Sequence, residues 1–147
     1  MRPLSANIHA TAIVVGTTGL VFLGPSGSGK SQLAFDCLAE ARLHGQFSAL
    51  VADDQVFVSR FGVHVIASRP DTIRDMIELR HGGIARVASI PRAVLHYAVL
   101  PIERHGAERL PPRKPGVTLC GDICLPALHL PTDVRLPFSF IDALISS

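Results

Sequence analysis

Residues 24–31 read G-P-S-G-S-G-K-S and fill every fixed position of the phosphate-binding loop pattern G-x-x-x-x-G-K-[ST]. The loop lies between an apolar run at 20–23 and a segment with helical apolar spacing. This is the strand, loop and helix context that the motif requires. Its glycines allow several backbone N–H groups to point at a polyphosphate. The segment therefore predicts nucleotide or polyphosphate binding, with an unoccupied turn as the alternative.

The side chains of the loop indicate how a phosphate would be held. The amine of Lys30 can reach the β- and γ-phosphates, and the hydroxyl of Ser31 is a small oxygen ligand for Mg²⁺. A helix that begins here directs the positive end of its dipole at the anion. The predicted cofactor-binding residues are Gly24, Pro25, Ser26, Gly27, Ser28, Gly29, Lys30 and Ser31.

Length and composition limit the remaining possibilities. The 147 residues suit one domain, 1–147, and 48% hydrophobic with 18% charged residues predicts an α/β or α+β core. A net charge of +2 is too small to imply nucleic acid or an anionic membrane as a partner. The sequence has neither a long apolar span nor a signal peptide, so we expect a cytoplasmic protein. The three cysteines are expected to be reduced and mostly buried.

A hairpin is predicted before the loop. Apolar runs at 8–15 and 20–23 are joined by Gly16-Thr17-Thr18-Gly19, which reads as a four-residue turn. That turn pairs Val15 with Leu20, and continuing the register puts His9 opposite Ser26, beside the phosphate loop.

Further elements follow from periodicity and turn residues. A helix is predicted at 30–44 with Gly45 at its end, and a short terminal helix at 138–145. Strands are expected at 47–52 and 94–100, with a hairpin formed by 56–60 and 63–67. A helical turn is expected at 70–75 and a mobile surface loop at 101–116, while Pro126 limits any strand there to an edge or broken one.

Two adjacent acids, Asp53 and Asp54, end the apolar strand after the loop. Phosphate-loop enzymes use such acids to hold Mg²⁺ or to polarise a nucleophile. Because side chains alternate along a strand, we expect the two to face different directions and to play different roles. A solvated turn is the alternative. His9 and Glu78 alone are weak signals, since a surface histidine and an exposed strand carboxylate would look the same.

Taken together, four segments resemble the catalytic domain of the HPr kinase/phosphorylase family, in its short form without the extra N-terminal domain. They are Ile8-His9-Ala10-Thr11-Ala12, the loop 24–31, Leu50-Val51-Ala52-Asp53-Asp54, and Ile77-Glu78-Leu79-Arg80 with Gly83-Ile84. The resemblance covers roughly the first 90 residues and is faint beyond Pro91. Arg80 and Gly83 belong, with Glu78, to the family signature.

The resemblance implies a mixed α/β fold like that of ATP-type phosphoenolpyruvate carboxykinase. It implies a kinase that uses ATP and Mg²⁺ to phosphorylate a serine of HPr or of its nitrogen-related counterpart, and a reverse reaction that uses inorganic phosphate. Asp53 would accept the proton, His9 and Asp54 would orient that acid, and Glu78 would help to hold the metal. Longer members form hexamers, so a homo-oligomer is expected.

The signature departs from the family at one point. Members usually read Glu-x-Arg-Gly-x-Gly-Ile, whereas Arg80 is followed here by His81-Gly82-Gly83. Histidine adopts a positive φ less readily than glycine. The resemblance therefore supports the kinase reaction more directly than the phosphorylase reaction. A phosphate-loop kinase of a small metabolite and a non-catalytic nucleotide-sensing module are the alternatives.

Overall fold

The computed structural model describes residues 5–70, 75–79, 81–103 and 116–146. These residues form a mixed α/β fold, as predicted. The strands are β1 (Ser5–Ile8), β2 (Ala10–Val15), β3 (Thr18–Leu23), β4 (Ser48–Ala52), β5 (Val56–Phe61), β6 (His64–Ser68), β7 (Met76–Leu79), β8 (Gly83–Arg86), β9 (Arg92–Leu95), β10 (Tyr97–Ile102), β11 (Val117–Cys120), β12 (Ile123–Leu125) and β13 (Ala127–Pro131), and the helices are α1 (Lys30–Leu43) and α2 (Pro137–Ile145).

A five-stranded sheet in the order β13-β10-β3-β2-β4 positions the phosphate loop. β3 is parallel to β10, which is parallel to β13, while β2 is antiparallel to both β3 and β4. The ends of β3 and β4 and the start of β2 therefore meet at the same edge of the sheet. This edge is where the loop, the two acids and His9 enter the fold.

Both faces of this sheet are buried. On one face, Ile13 and Phe22 pack with Leu33 and Cys37 of α1. On the other face, Val14 and Val21 belong to a second apolar cluster. That cluster includes the inner residues of a four-stranded antiparallel sheet in the order β1-β5-β6-β9. A sheet covered on both faces needs apolar residues at successive positions, which explains the uninterrupted runs in β2 and β3.

The predicted hairpin register is wrong by two residues. The turn is the pair Gly16-Thr17, so Val15 faces Thr18 and Ala10 faces Leu23. Gly16 has a φ of 61°, which a tight two-residue turn requires. Because side chains repeat every two residues along a strand, the shift leaves each side chain on its predicted face.

Two predicted strands are each broken by a histidine. The run 8–15 divides at His9 into β1 and β2, and the run 94–100 divides at His96 into β9 and β10. In both cases the first strand belongs to the four-stranded sheet and the second to the five-stranded sheet. Periodicity within one strand does not report such a change of sheet, which is why the sequence predicts single strands.

Most other elements agree with the sequence. The helix after the loop, the hairpin of β5 and β6, the edge position of β13 after Pro126 and the terminal helix are confirmed. The predicted loop 101–116 begins too early because β10 runs to Ile102, and its residues 104–115 lie outside the described residues. So do residues 71–74 of the predicted helical turn.

The cysteines are free, but only Cys37 is buried, so the expectation of mostly buried thiols is wrong. Burial strongly raises the pKa of the Cys37 thiol, with Glu40 and Asp36 adding to the effect.

The terminal helix is attached by a buried acid of α1. The Glu40 carboxylate accepts hydrogen bonds from the backbone N–H groups of Phe138 and Ser139, each at 2.9 Å. These N–H groups lie in the first turn of α2, where no partner exists within the helix. The sequence shows no sign of this contact because the two segments are far apart along the chain.

Candidate active site

The phosphate loop joins β3 to α1 and contains three glycines with positive φ. Gly24, Gly27 and Gly29 have φ values of 144°, 82° and 99°. A Cβ atom at Gly24 would also lie 2.7 Å from Ser28 Oγ. These positions require glycine for both conformation and space, as the motif predicts.

Lys30 is buried at the start of α1 and lies over the loop. Its Nζ donates to the carbonyl oxygens of Gly24 at 2.7 Å and Pro25 at 3.1 Å. Burial lowers the pKa of the Lys30 amine, while the charges of Asp54 and Asp53 act in the opposite direction. The side chain is thus held beside the loop, close to the two acids that follow β4.

Asp53 is the better buried of the two acids and is bonded on both carboxylate oxygens. Its Oδ1 accepts hydrogen bonds from Ser31 Oγ at 2.7 Å and Thr11 Oγ1 at 2.9 Å. Its Oδ2 accepts one from the backbone N–H of Glu78 at 3.0 Å. Donors from three separate segments of the chain, in β2, at the end of the phosphate loop and in β7, thereby meet at this carboxylate.

Asp54 points away from that network and contacts His9. Its Oδ1 lies 3.1 Å from His9 Nδ1, and the two side chains are 69% and 48% exposed. The φ of Asp54 is 72°, a left-handed conformation that aspartate tolerates better than most residues. This turn in the backbone separates the directions of the two adjacent carboxylates.

The signature residues lie on the hairpin of β7 and β8. Glu78 reaches Asp53 through its backbone amide, while its own side chain is exposed. Gly83 begins β8 with a φ of 94°, and His81 in the turn has a φ of 63°. The positive φ at the position of His81 explains why the family signature usually has a glycine there. Arg80 lies outside the described residues.

The available oxygen atoms suit Mg²⁺ held together with a bound phosphate. Mg²⁺ takes hydroxyl and carboxylate oxygens and is usually held by one or two carboxylates together with the substrate phosphates. In the described part of the chain, no three His, Cys, Asp or Glu side chains cluster closely enough to hold a metal alone. The Ser28 hydroxyl is buried in the loop without a hydrogen-bond partner among these residues. The loop therefore has donor capacity to spare for a phosphate.

Sequence reasoning gave no role to Thr11. This side chain is fully buried in β2, among apolar neighbours, and its hydroxyl bonds to Asp53. The available signal was a polar residue inside an apolar strand next to a candidate site. Without the pairing of β2 with β4, that signal names no partner for the hydroxyl.

Comparisons of the sequence and of the fold with known proteins show which family the chain is similar to. The family model of the HPr serine kinase C-terminal domain matches residues 3–91. The HPr kinase/phosphorylase of Aromatoleum aromaticum is 40% identical over 92 residues, which cover 60% of this chain and 28% of that protein. The HPr kinase/phosphorylase of Alkaliphilus metalliredigens is 36% identical over 84 residues, covering 56% and 25%. The chain thus matches about a quarter of the length of these relatives.

A solved structure extends the likeness in fold beyond the matched sequence. The Hpr(Ser) kinase/phosphatase from Coxiella burnetii superposes with a TM-score of 0.74 at 22% identity, covering 96% of this chain and 88% of that one. In the described residues, no helix is long and apolar enough to cross a membrane. The family model covers more than half of the chain. The chain therefore belongs to the HPr serine kinase C-terminal domain family, which is the family that the order of the four segments predicted.

Proposed function

We propose that this chain is an ATP- and Mg²⁺-dependent kinase that phosphorylates a serine of HPr or of a similar phosphocarrier protein. Membership of the family supports a kinase of this kind. The observation that carries the proposal is the 2.7 Å hydrogen bond from Ser31 of the phosphate loop to Asp53. This bond joins the group expected to hold the donor phosphates to the group expected to act on the acceptor.

Asp53 is proposed as the proton acceptor. A carboxylate offers about four lone-pair positions. Two on Oδ1 are used by Ser31 and Thr11, and one on Oδ2 is used by the Glu78 N–H. Among the described residues no further donor contacts Oδ2, so the proposal gives its remaining position to the hydroxyl of a substrate serine. That hydroxyl would donate its proton to Asp53 as its oxygen attacks the γ-phosphorus and the bond to ADP breaks.

The other residues would align and neutralise charge. Lys30 and the loop N–H groups would bind the phosphates, and Ser31 would ligate Mg²⁺, with Glu78 as a further proposed ligand. Bound Mg²⁺ supplies positive charge against the phosphate oxygens. The His9–Asp54 pair would orient the acceptor side of the site. Catalysis would rest mainly on positioning and electrostatics, as is usual for phosphoryl transfer.

The test is transfer from ATP to purified HPr, detected as the mass of one added phosphoryl group. HPr with its acceptor serine replaced by alanine is the matched control and should stay unmodified. Folded chain that leaves HPr unmodified but phosphorylates a small metabolite would instead support the first alternative. ATP binding without any transfer would support the nucleotide-sensing module.

Asp53→Asn tests the role of the proton acceptor. We expect transfer to fall by about 10³-fold while ATP affinity measured without Mg²⁺ changes little, because the asparagine cannot accept the proton. ATP affinity is measured by calorimetry alongside turnover. If both fall equally, Asp53 is a residue of binding or folding.

Three further expectations belong to this proposal. They are a reverse reaction in which inorganic phosphate removes the phosphoryl group from phosphoseryl-HPr, assembly into a homo-oligomer, and a cytoplasmic location as part of phosphotransferase-system regulation. Incubating phosphoseryl-HPr with inorganic phosphate tests the first, and sedimentation of the purified chain tests the second.

A further inference from the structure

Thr11 is a buried polar residue whose environment requires a reason for its hydroxyl. The side chain has no solvent exposure and lies between Ala10 and Ala12, which are also fully buried. Burying a hydroxyl without a partner is unfavourable, whereas valine has nearly the same shape and no polar group. Among the described residues, the partner of Thr11 Oγ1 is Asp53 Oδ1, at 2.9 Å.

An irregularity in strand pairing creates this contact. Ala12 is paired with Ala52, but the next residue, Ile13, is paired with Leu50, so Val51 is an extra residue in β4. Two residues before Ala12, the backbone N–H of Ala10 donates to the carbonyl of Asp54. These two pairings set Thr11 opposite Asp53. Without the extra residue, Thr11 would face Ala52 instead.

The contact between Thr11 and Asp53 reaches Ser31 of the phosphate loop through Asp53. The same Oδ1 accepts the hydroxyl hydrogen of Ser31 at 2.7 Å. Because that hydrogen is used by Asp53, the lone pairs of Ser31 Oγ remain available on the other side of the oxygen. Asp53 can set the orientation of Ser31 only if its own carboxylate is fixed.

We propose that Thr11 is a positioning residue that fixes the Asp53 carboxylate, so that Asp53 in turn orients the hydroxyl of Ser31 for Mg²⁺. The inference rests on the proposed function for its effect on turnover, and on metal binding for a second, independent effect. Thr11 itself touches neither a nucleotide nor a substrate in this scheme.

The experiment compares Thr11→Val, which keeps the shape and loses the donor, with Thr11→Ser, which keeps the donor. Thr18→Val, at the start of β3 in the same hairpin, is the matched control. ATP affinity is measured by calorimetry over a series of Mg²⁺ concentrations, and turnover with HPr is measured in parallel. Thermal melting establishes that each variant is folded.

We expect Thr11→Val to need about tenfold more Mg²⁺ for the same ATP affinity, while ATP affinity without Mg²⁺ stays unchanged. Turnover should fall about 10- to 100-fold, with little change in the KM for HPr. Thr11→Ser should restore both values, and Thr18→Val should match the original chain. If Thr11→Val fails to fold, Thr11→Cys replaces it, since a thiol is a weak donor of similar size.

Three results would overturn the proposal. The first is a folded Thr11→Val with the original Mg²⁺ dependence. The second is an equal loss of ATP affinity with and without Mg²⁺, and the third is a Thr11→Ser variant as impaired as Thr11→Val. If the original chain does not phosphorylate HPr, the proposed function fails, but the Mg²⁺ dependence of ATP binding still decides the role of Thr11. A chain that binds no ATP overturns both proposals.

Discussion

The chain passes from the four-stranded to the five-stranded sheet at His9 and again at His96, each time through a single residue. At His96 the histidine forms hydrogen bonds with the backbone of Gly19. Its Nδ1 accepts a hydrogen bond from the N–H of Gly19 at 2.9 Å, and its own N–H donates to the Gly19 carbonyl at 2.8 Å. At His9 the imidazole instead extends to the half-exposed edge of the site and meets Asp54.

The difference shows that the same change of sheet can place a histidine in two kinds of contact. The His96 crossing uses the imidazole as a substitute for a backbone partner, so it stabilises the turn between sheets. The His9 crossing lies beside the bend at Asp54, and the backbone N–H of Ala10 donates to the Asp54 carbonyl. There the imidazole and the Asp54 carboxylate contact each other at the surface, where the proposed function would use them. Residue type alone therefore does not separate a histidine that bonds to the backbone from one that pairs with a side chain.

The strongest test of the structural crossing is Gly19→Ala. A Cβ atom at Gly19 would lie 1.9 Å from the carbonyl oxygen of Val94, so the two sheets would have to separate locally. We expect a loss of about 3 kcal/mol in the free energy of unfolding, measured by urea denaturation. Gly16→Ala is the matched control in the same hairpin. It meets open space and should cost only about 1 kcal/mol because of its positive φ. Equal costs would contradict the close approach at this crossing.

The proposed role of His9 in transfer is tested by His9→Ala. We expect turnover with HPr to fall about 10- to 100-fold because Asp54 loses its partner at the site, while ATP affinity stays unchanged. The free energy of unfolding should change by less than about 0.5 kcal/mol, since the imidazole is half exposed. His64→Ala, an exposed histidine of β6, should leave turnover unchanged. Unchanged turnover in folded His9→Ala would contradict a role of His9 in transfer.

His96→Ala should give the smallest effect and the opposite pattern. Losing the acceptor for the Gly19 N–H should reduce the free energy of unfolding by about 1 kcal/mol, because the bond is only partly buried and water can replace part of it. Turnover per folded molecule should not change. Thermal melting and the HPr assay measure the two quantities, and a loss of turnover without destabilisation would remove the distinction between the crossings.

The sequence predicted the first 90 residues better than the remainder, and the site explains why. Family-model agreement ends at residue 91, although structural similarity covers 96% of the chain. A phosphate loop or a paired acid requires particular residues at particular positions. Strands such as β10 and β13 require only apolar side chains on buried faces, which many sequences supply. Likeness in fold therefore outlasts likeness in sequence.

What the sequence determined by itself is local. The glycines, Lys30 and Ser31 form a contiguous motif, and the apolar spacing after it specifies helix α1. The order of His9, the phosphate loop, the paired acids and Glu78 along the sequence was enough to identify the family. Each of these features is read from neighbouring residues or from a fixed series along the chain.

Only the tertiary structure decided which groups meet. Thr11 and Asp53 are 42 residues apart, and their contact depends on one extra residue in β4 that periodicity does not reveal. The hairpin register and the changes of sheet at His9 and His96 likewise depend on backbone hydrogen bonds between distant segments. Side-chain patterns specify which face of a strand is buried, but pairing partners and their register are set by the packing of the whole fold.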